Sequence, residues 1–274
     1  MKNETMMPRY IFSAPQLGDL IKVAPRLFLG LDYDGVLAPI APRPEEAQPT
    51  KEVCALLTRL ARLPTVDVVV SSGRTIANLS TLLPIPDLTY IGAHGLHIRT
   101  ASGESIALFP PDAFTSELAR LRLEVEAIIS NLPDCHLEDK GQVLALHYRL
   151  ASAKIGEQAV RQFVAIVTAY QQQGCPLDLI HGNKVIEVRP RDINKGKAIQ
   201  TLLDREGPPT LPVYIGDDTT DEDAFLALHN RGVSILVSDP PRSTAARYYL
   251  KNPEEVLRFL SQILEVRRAA EATF

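Results

Sequence analysis

Apolar residues along this chain fall into two rhythms, a continuous one and a helical one, and polar chemistry collects where the continuous runs break off. Residues 27–32 form an apolar run that stops at acidic residues, the pattern of a strand buried on both faces. Pro39, Pro42, Pro44 and Pro49 then exclude a helix and favour a loop leading away from the strand end. From Thr50 onward, Val53, Leu56, Leu57 and Leu60 recur at helical spacing. A β-branched run at 66–70 predicts a second buried strand, broken by Ser71-Ser72-Gly73-Arg74. Residues 75–83 read as helix and 89–93 as a third strand. Such strand–helix alternation predicts a parallel, doubly wound sheet.

From about Leu96 the rhythm changes. Residues 97–108 read as a hairpin around Ser102-Gly103, and Pro110-Pro111 marks a joint. A helix over 116–132, strands over 135–139 and 142–149, a helix over 155–173, and strands over 177–181 and 184–188 follow. This order predicts an α+β layer with both helices on one face of an antiparallel sheet. Arg189-Pro190-Arg191 forms a second joint, after which the parallel rhythm resumes. A helix is expected from Lys195, then strand 212–215, helix 220–229, strand 233–237 and a closing helix over 253–266. The expected fold class is thus α/β: a Rossmann-like core of residues 1–108 and 190–274, with an inserted α+β cap over 109–189. The two joints would let the insert move as a lid.

Composition narrows the function classes. With 274 residues, 45% of them hydrophobic and 23% charged, the chain is an ordinary globular one rather than a disordered one. Twenty-nine basic against thirty-three acidic residues leave a net charge of −4, which gives no footprint for nucleic acid or an anionic membrane. Aromatic residues are 6% and Trp is absent, so no base-stacking platform is expected. Cys54, Cys135 and Cys175 are odd in number and lack CxxC spacing, which argues against a disulfide framework or a zinc site. The opening residues hold no apolar run of signal-peptide length, and no stretch of ~18 apolar residues follows. A cytoplasmic location is expected.

In an open α/β sheet, ligands bind outside the carboxyl ends of the strands. The first strong strand ends in Asp32-Tyr33-Asp34-Gly35, the second in Ser71-Ser72-Gly73, and a later one in Gly216-Asp217-Asp218 before Asp221. Lys195 opens the helix after the insert. Clustered carboxylates repel one another unless a cation joins them, and hard oxygen donors suit Mg²⁺ beside a phosphate. A hydroxyl, an ammonium and a helix start suit phosphoryl oxygens. The reaction implied is phosphoryl transfer to a carboxylate nucleophile.

Each piece has an ordinary structural reading as well. The DxDG turn is compatible with an Asx cap, Ser72 with a helix cap, Lys195 with a solvated lysine, and Asp221 with a first-turn acid favoured by the helix dipole. Only their joint order, strand-DxDG, strand-SGR, insert, KG-helix, strand-GDD, favours the catalytic reading.

That order resembles the haloacid dehalogenase superfamily of aspartate-nucleophile phosphohydrolases. Within it the chain is similar, over nearly its whole length, to the trehalose-6-phosphate phosphatases. The resemblance is carried by DYDGVLAPI from Asp32, VVVSSGR ending at Arg74, IGAHG from Ile91, HYR at His147, VIEVRP from Val185, NKGKA from Asn194 and YIGDDTTDEDAF from Tyr214. It implies Asp32 as nucleophile and Asp34 as general acid and base. It assigns Ser72 and Lys195 to phosphate. Asp32, Asp34 and Asp217 fall to Mg²⁺, with Asp218 a further candidate ligand and Asp221 behind them, orienting Lys195 or metal-bound water. His94, Glu138, Lys140, Arg149, Asn183 and Glu187 match substrate positions. The implied partner is a small-molecule sugar phosphate, with no nucleic acid and no membrane, and with functional coupling to a trehalose-6-phosphate synthase. Oligomeric state is not implied.

Two positions depart from the family pattern. Val36 replaces a commoner Thr, and His97 stands where an acidic residue usually follows GxHG. An imidazole does not copy an obligate acceptor carboxylate. The departure bears on the sugar, leaving phosphatases of sucrose phosphate or mannosyl-glycerate phosphate open, and does not touch the phosphatase reading. A phosphomutase and a non-catalytic sugar-phosphate sensor are separate alternatives. The intact Asp32/Asp34 pair argues against the sensor.

Overall fold

The computed structural model describes residues 5–41, 43–110, 115–182, 184–205 and 209–271. The chain starts with β1 (Arg9–Tyr10), a 3-10 turn (Ile11–Ser13) and α1 (Gln16–Val23). There follow β2 (Arg26–Asp32), α2 (Lys51–Ala61), β3 (Val66–Ser71), α3 (Ile76–Leu82), β4 (Thr89–Gly92), β5 (His97–Arg99) and β6 (Ser105–Ala107). Next come α4 (Thr115–Ile129), β7 (His136–Asp139), β8 (Leu144–His147), α5 (Ala153–Gln172), β9 (Leu177–Gly182) and β10 (Val185–Pro190). The last elements are α6 (Lys195–Leu203), β11 (Thr210–Gly216), a 3-10 turn (Thr219–Asp221), α7 (Glu222–Ala227), β12 (Val233–Val237), β13 (Tyr248–Leu250) and α8 (Pro253–Glu271). These elements divide into two units, Met1–Ile106 with Asn194–Phe274, and Ala107–Ile193.

The first unit is built on a nine-stranded sheet of order β1-β13-β12-β11-β2-β3-β4-β5-β6. It is parallel from β1 through β4 and turns antiparallel where β5 joins β4. β2 is central, and alternation sends Leu27, Leu29 and Leu31 to one face and Phe28 to the other, all buried. That two-sided burial is why the run reads as continuously apolar. The leucine face packs with Leu17 and Ile21 of α1, Leu57 and Leu60 of α2, and Leu260 and Ile263 of α8. On the opposite face Tyr214 of β11 meets Phe225 of α7 edge-on, with ring centroids 6.0 Å apart. Side-chain caps set the helix starts: Thr50 accepts from Val53 N, Thr75 from Asn78 N, and Asn194 from Lys197 N. The cap of α3 is therefore Thr75, and Ser72 is spared that task.

The second unit holds a four-stranded antiparallel sheet of order β7-β8-β10-β9. Its inner face, including Leu144, Leu146, Ile186 and Val188, packs on Leu121 and Val125 of α4 and on Phe163 and Val167 of α5. Glu138, Ala145 and Glu187 lie in one cross-strand row, with His136 and His147 paired in the next. Alternation puts both rows on the face away from the helices.

Three elements escaped the sequence reading: α1, the edge strand β1, and its neighbour β13. The expected helix over 220–229 is split, a 3-10 turn ending at Asp221 preceding the shorter α7. The turn is a capping box, in which the Asp218 side chain meets the Asp221 backbone and the Asp221 side chain returns to the Asp218 N–H.

Candidate active site

Asp32 ends β2 in register with Ser71 of β3, and Ile215 of β11 lies level with Leu31, so Gly216 and Asp217 emerge beside Asp32. The first turn of α6 brings Lys195 into the same strand ends. Its side chain is 2% exposed, with Nζ 2.8 Å from Asp32 Oδ1 and 2.7 Å from Asp221 Oδ1. Asp221 is fully buried and saturated. Oδ1 also accepts from Tyr214 OH at 2.7 Å, and Oδ2 accepts from the N–H groups of Asp217 and Asp218 at 3.0 and 3.1 Å. Such complete satisfaction is what a buried carboxylate requires.

The electrostatics follow from burial. Asp32 is pushed well above the usual carboxylate range by burial and then by the charge of Asp221, against the attraction of Lys195. Burial alone would lower the Lys195 ammonium, but Asp221 and Asp32 overrule it and hold it well above the usual lysine range. Asp217 is pushed up to about 7, first by burial and then by Asp221. One lysine is thus too little cation for the carboxylates around it.

A hard divalent ion fits this deficit. Asp32, Asp217 and Asp221 bring one carboxylate oxygen each within 4.8 Å of one another. Both Asp221 oxygens already accept two hydrogen bonds, so Asp32 and Asp217 are the members with capacity left for an ion. Asp34 and Asp218, also expected at the metal, carry other hydrogen bonds in this structure. Asp34 pairs with Arg74, and Asp218 Oδ1 accepts from Thr219 N at 2.7 Å in the capping box.

Ser72 is buried at the end of β3, where its Oγ accepts from Arg74 N at 3.1 Å. The neighbouring Ala93-His94-Gly95 turn has three successive positive φ angles, and it is strapped to this loop through His94 N to Ser72 O and Ala93 N to Arg74 O. The His94 ring lies so close to Gly73 that a β-carbon there would overlap it. His97, half-buried, is held below the usual imidazole range by burial, so its neutral form is favoured. Two participants went unassigned in the sequence reading. Arg74 lies within SGR and Tyr214 within an apolar strand, and neither position marks its partner.

In the second unit Lys140 Nζ lies 2.7 Å from Glu187 Oε1 and 3.8 Å from Glu138 Oε2, and His147 Nε2 is 2.9 Å from that same Glu138 oxygen. Glu138 is held below the usual carboxylate range, chiefly by its hydrogen bond to His147, burial opposing. Arg149 follows β8 on an exposed stretch. Asn183 lies outside the described residues.

A central strand ending in a buried aspartate, backed by a lysine held between two carboxylates, defines a hydrolase of the haloacid dehalogenase fold. The trehalose-phosphatase family profile matches residues 30–254, and the chain belongs to that family of phosphoric monoester hydrolases. Two similar curated proteins come from Oryza sativa subsp. japonica. Probable trehalose-phosphate phosphatase 4 is 32% identical over 90% of this chain and 68% of its own length. Probable trehalose-phosphate phosphatase 2 is 34% identical over 89% of this chain and 70% of its own. Among solved structures, the C-terminal domain of C. albicans trehalose-6-phosphate phosphatase superposes with a TM-score of 0.82 at 23% identity, over 96% of this chain and 99% of that one. It supports the fold. Among the described residues, no helix is long and apolar enough to cross a membrane.

Proposed function

We propose that this chain hydrolyses trehalose 6-phosphate to trehalose and phosphate, with Asp32 as nucleophile and Mg²⁺ held by Asp32 and Asp217. The carrying observation is the Lys195 ammonium set between Asp32 and Asp221, with Asp217 beside them. An Asp32 oxygen attacks the phosphorus, forming the aspartyl–phosphate bond as the bond to the sugar oxygen breaks. Lys195 and the Ser72 hydroxyl receive the phosphoryl oxygens. Asp34 gives its proton to the leaving sugar oxygen, a contribution of roughly 10²–10⁴-fold for a positioned acid. It then takes a proton from the water that hydrolyses the aspartyl phosphate. When bound, the metal supplies charge neutralisation at the phosphate and between the carboxylates.

Glu138, Lys140, Arg149 and Glu187 recognise the disaccharide, whose hydroxyls donate to carboxylates and accept from cations. The substrate's own origin implies coupling to a trehalose-6-phosphate synthase. The three cysteines are free thiols, as suits a reducing cytoplasm. The test is phosphate release from trehalose 6-phosphate, sucrose phosphate, mannosyl-glycerate phosphate and glucose 6-phosphate, in EDTA and in Mg²⁺. The expected result is Mg²⁺-dependent release, fastest from trehalose 6-phosphate. Release without any divalent ion would overturn the metal, and preference for another member of the panel would overturn the substrate.

A further inference from the structure

Both carboxylate oxygens of Asp34 are engaged by a side chain that the cycle above leaves without a role. Arg74 Nε donates to Asp34 Oδ2 at 2.9 Å and Nη2 donates to Oδ1 at 2.8 Å, a fork-to-fork pair. The guanidinium is itself fixed. Nη1 donates to Asn78 Oδ1 of α3 at 3.1 Å, and its central carbon stands 5.0 Å from the Tyr33 ring centroid. Tyr33 is fully buried and its hydroxyl donates to Ala47 O at 2.7 Å, so the platform beneath the guanidinium is anchored too. The Arg74 backbone is tied on both sides, its N–H donating to Ser72 Oγ and its carbonyl accepting from Ala93 N.

Stability gives a weak reason for this construction. The Arg74 side chain is 11% exposed and that of Asp34 40%, so the pair is half open to water and its contribution to the fold is modest. Precision is what the arrangement supplies. A planar guanidinium facing both oxygens fixes the rotamer and the plane of the carboxylate, which a point-charge ammonium does not. Proton transfer depends steeply on such placement, a 1 Å error costing on the order of 10²-fold.

We propose that Arg74 is the positioning residue for Asp34, holding the carboxyl group in the orientation from which it serves the leaving sugar oxygen. Tyr33 and Asn78 hold Arg74 in turn. The inference rests on the phosphatase reading above, in which Asp34 is the acid and base.

The experiment compares wild type with Arg74→Lys and Arg74→Gln on trehalose 6-phosphate and on p-nitrophenyl phosphate, each change being made also in an Asp34→Asn background. On the sugar phosphate, kcat should fall roughly ten- to a hundred-fold for Arg74→Gln with KM changed by no more than about threefold. Arg74→Lys should fall between that and wild type, and it keeps the test informative should Arg74→Gln fold poorly. On p-nitrophenyl phosphate, whose leaving group departs without a proton, the loss should be severalfold smaller. In the Asp34→Asn background the Arg74 changes should add almost nothing, as expected for residues acting as a unit. Equal losses on the two substrates, an effect on KM alone, unchanged activity, or full additivity with Asp34→Asn would each overturn the positioning role. A wild type that releases no phosphate from trehalose 6-phosphate overturns the phosphatase reading instead.

Discussion

Gly35 and Asp217 meet at a spacing that only glycine allows: a β-carbon on Gly35 would overlap Asp217 Oδ2, and the φ angle of Gly35 is +76°. The turn around it is held by Gly35 N to Ala38 O at 2.8 Å and Leu37 N to Tyr33 O at 2.9 Å. Alanine at this position meets two separate costs. Backbone strain is about 1–2 kcal/mol, and the displaced carboxylate is one of the two proposed ligands. Gly35→Ala should therefore melt only a few degrees below wild type while phosphate release falls by more than about a hundredfold. Thermal melts beside kinetic assays check this, and a fully active Gly35→Ala would sink it.

Lys195 and Asp32 answer differently to removal. Lys195→Met leaves buried carboxylates facing one another without an ammonium, which costs on the order of 3–5 kcal/mol. Asp32→Asn removes a carboxylate that burial already disfavours, and Lys195 keeps Asp221. In EDTA, denaturant unfolding should show Lys195→Met clearly destabilised and Asp32→Asn at least as stable as wild type. Both should be inactive. A strongly destabilised Asp32→Asn would mean that its carboxylate holds the fold rather than attacks phosphate.

The metal-free protein should lose stability as pH rises. Asp217 binds its proton more tightly folded than unfolded, its pKa moving from the ordinary 3.8 to about 7 under burial and the charge of Asp221. The folded state thus holds the extra proton across that window, so its contribution is full below 3.8 and is lost as pH climbs to about 7. A divalent ion prefers the ionised form and should offset the loss most at the upper end. Melting temperatures in EDTA and in Mg²⁺, at about pH 5 and about pH 7.5, check the sign. An EDTA curve that rises between those two values would contradict it.

The strand ends were legible because a parallel sheet buried on both faces writes each strand as an unbroken apolar run. The polar residue that stops the run then stops at the ligand-binding edge. Asp32, Ser72 and Asp217 were found that way. β1 and β13 were not, since strands of two and three residues carry no period of their own and exist through their pairings, Arg9 with Tyr248 and Tyr248 with Ile235. Tyr214 illustrates a second limit. It looks like one more apolar position in its strand, while its hydroxyl completes the shell of Asp221. Arg74 stands forty residues from Asp34, so local spacing carried no sign of their pairing. In the second unit, the order of elements predicted an antiparallel sheet with both helices on one face. Only the register put Glu138 and Glu187 either side of Ala145 in a single row.

That row separates recognition from support. Lys140 and Glu187 are 7% and 6% exposed at the side chain and 2.7 Å apart, so each is the other's charge partner. Lys140→Ala removes the ammonium that lies 2.7 Å from the buried Glu187 carboxylate and should lower the melting temperature, besides weakening sugar recognition. Glu138 is 43% exposed, and its contacts with His147 and Lys140 are worth little to the fold. Glu138→Gln should melt with wild type, yet lose a charge-assisted hydrogen bond to the sugar worth about 1.5–3 kcal/mol, or roughly ten- to a hundredfold in kcat/KM. Remote binding energy also serves the chemical step, so kcat should fall with affinity. Hydrolysis of p-nitrophenyl phosphate, which has no sugar to present, should stay within about twofold of wild type. The decisive quantity is the ratio of the two activities in Glu138→Gln. Equal losses on both substrates would make Glu138 a support of its sheet, and wild-type rates on both would leave the polar row as solvated surface with no part in reading the substrate.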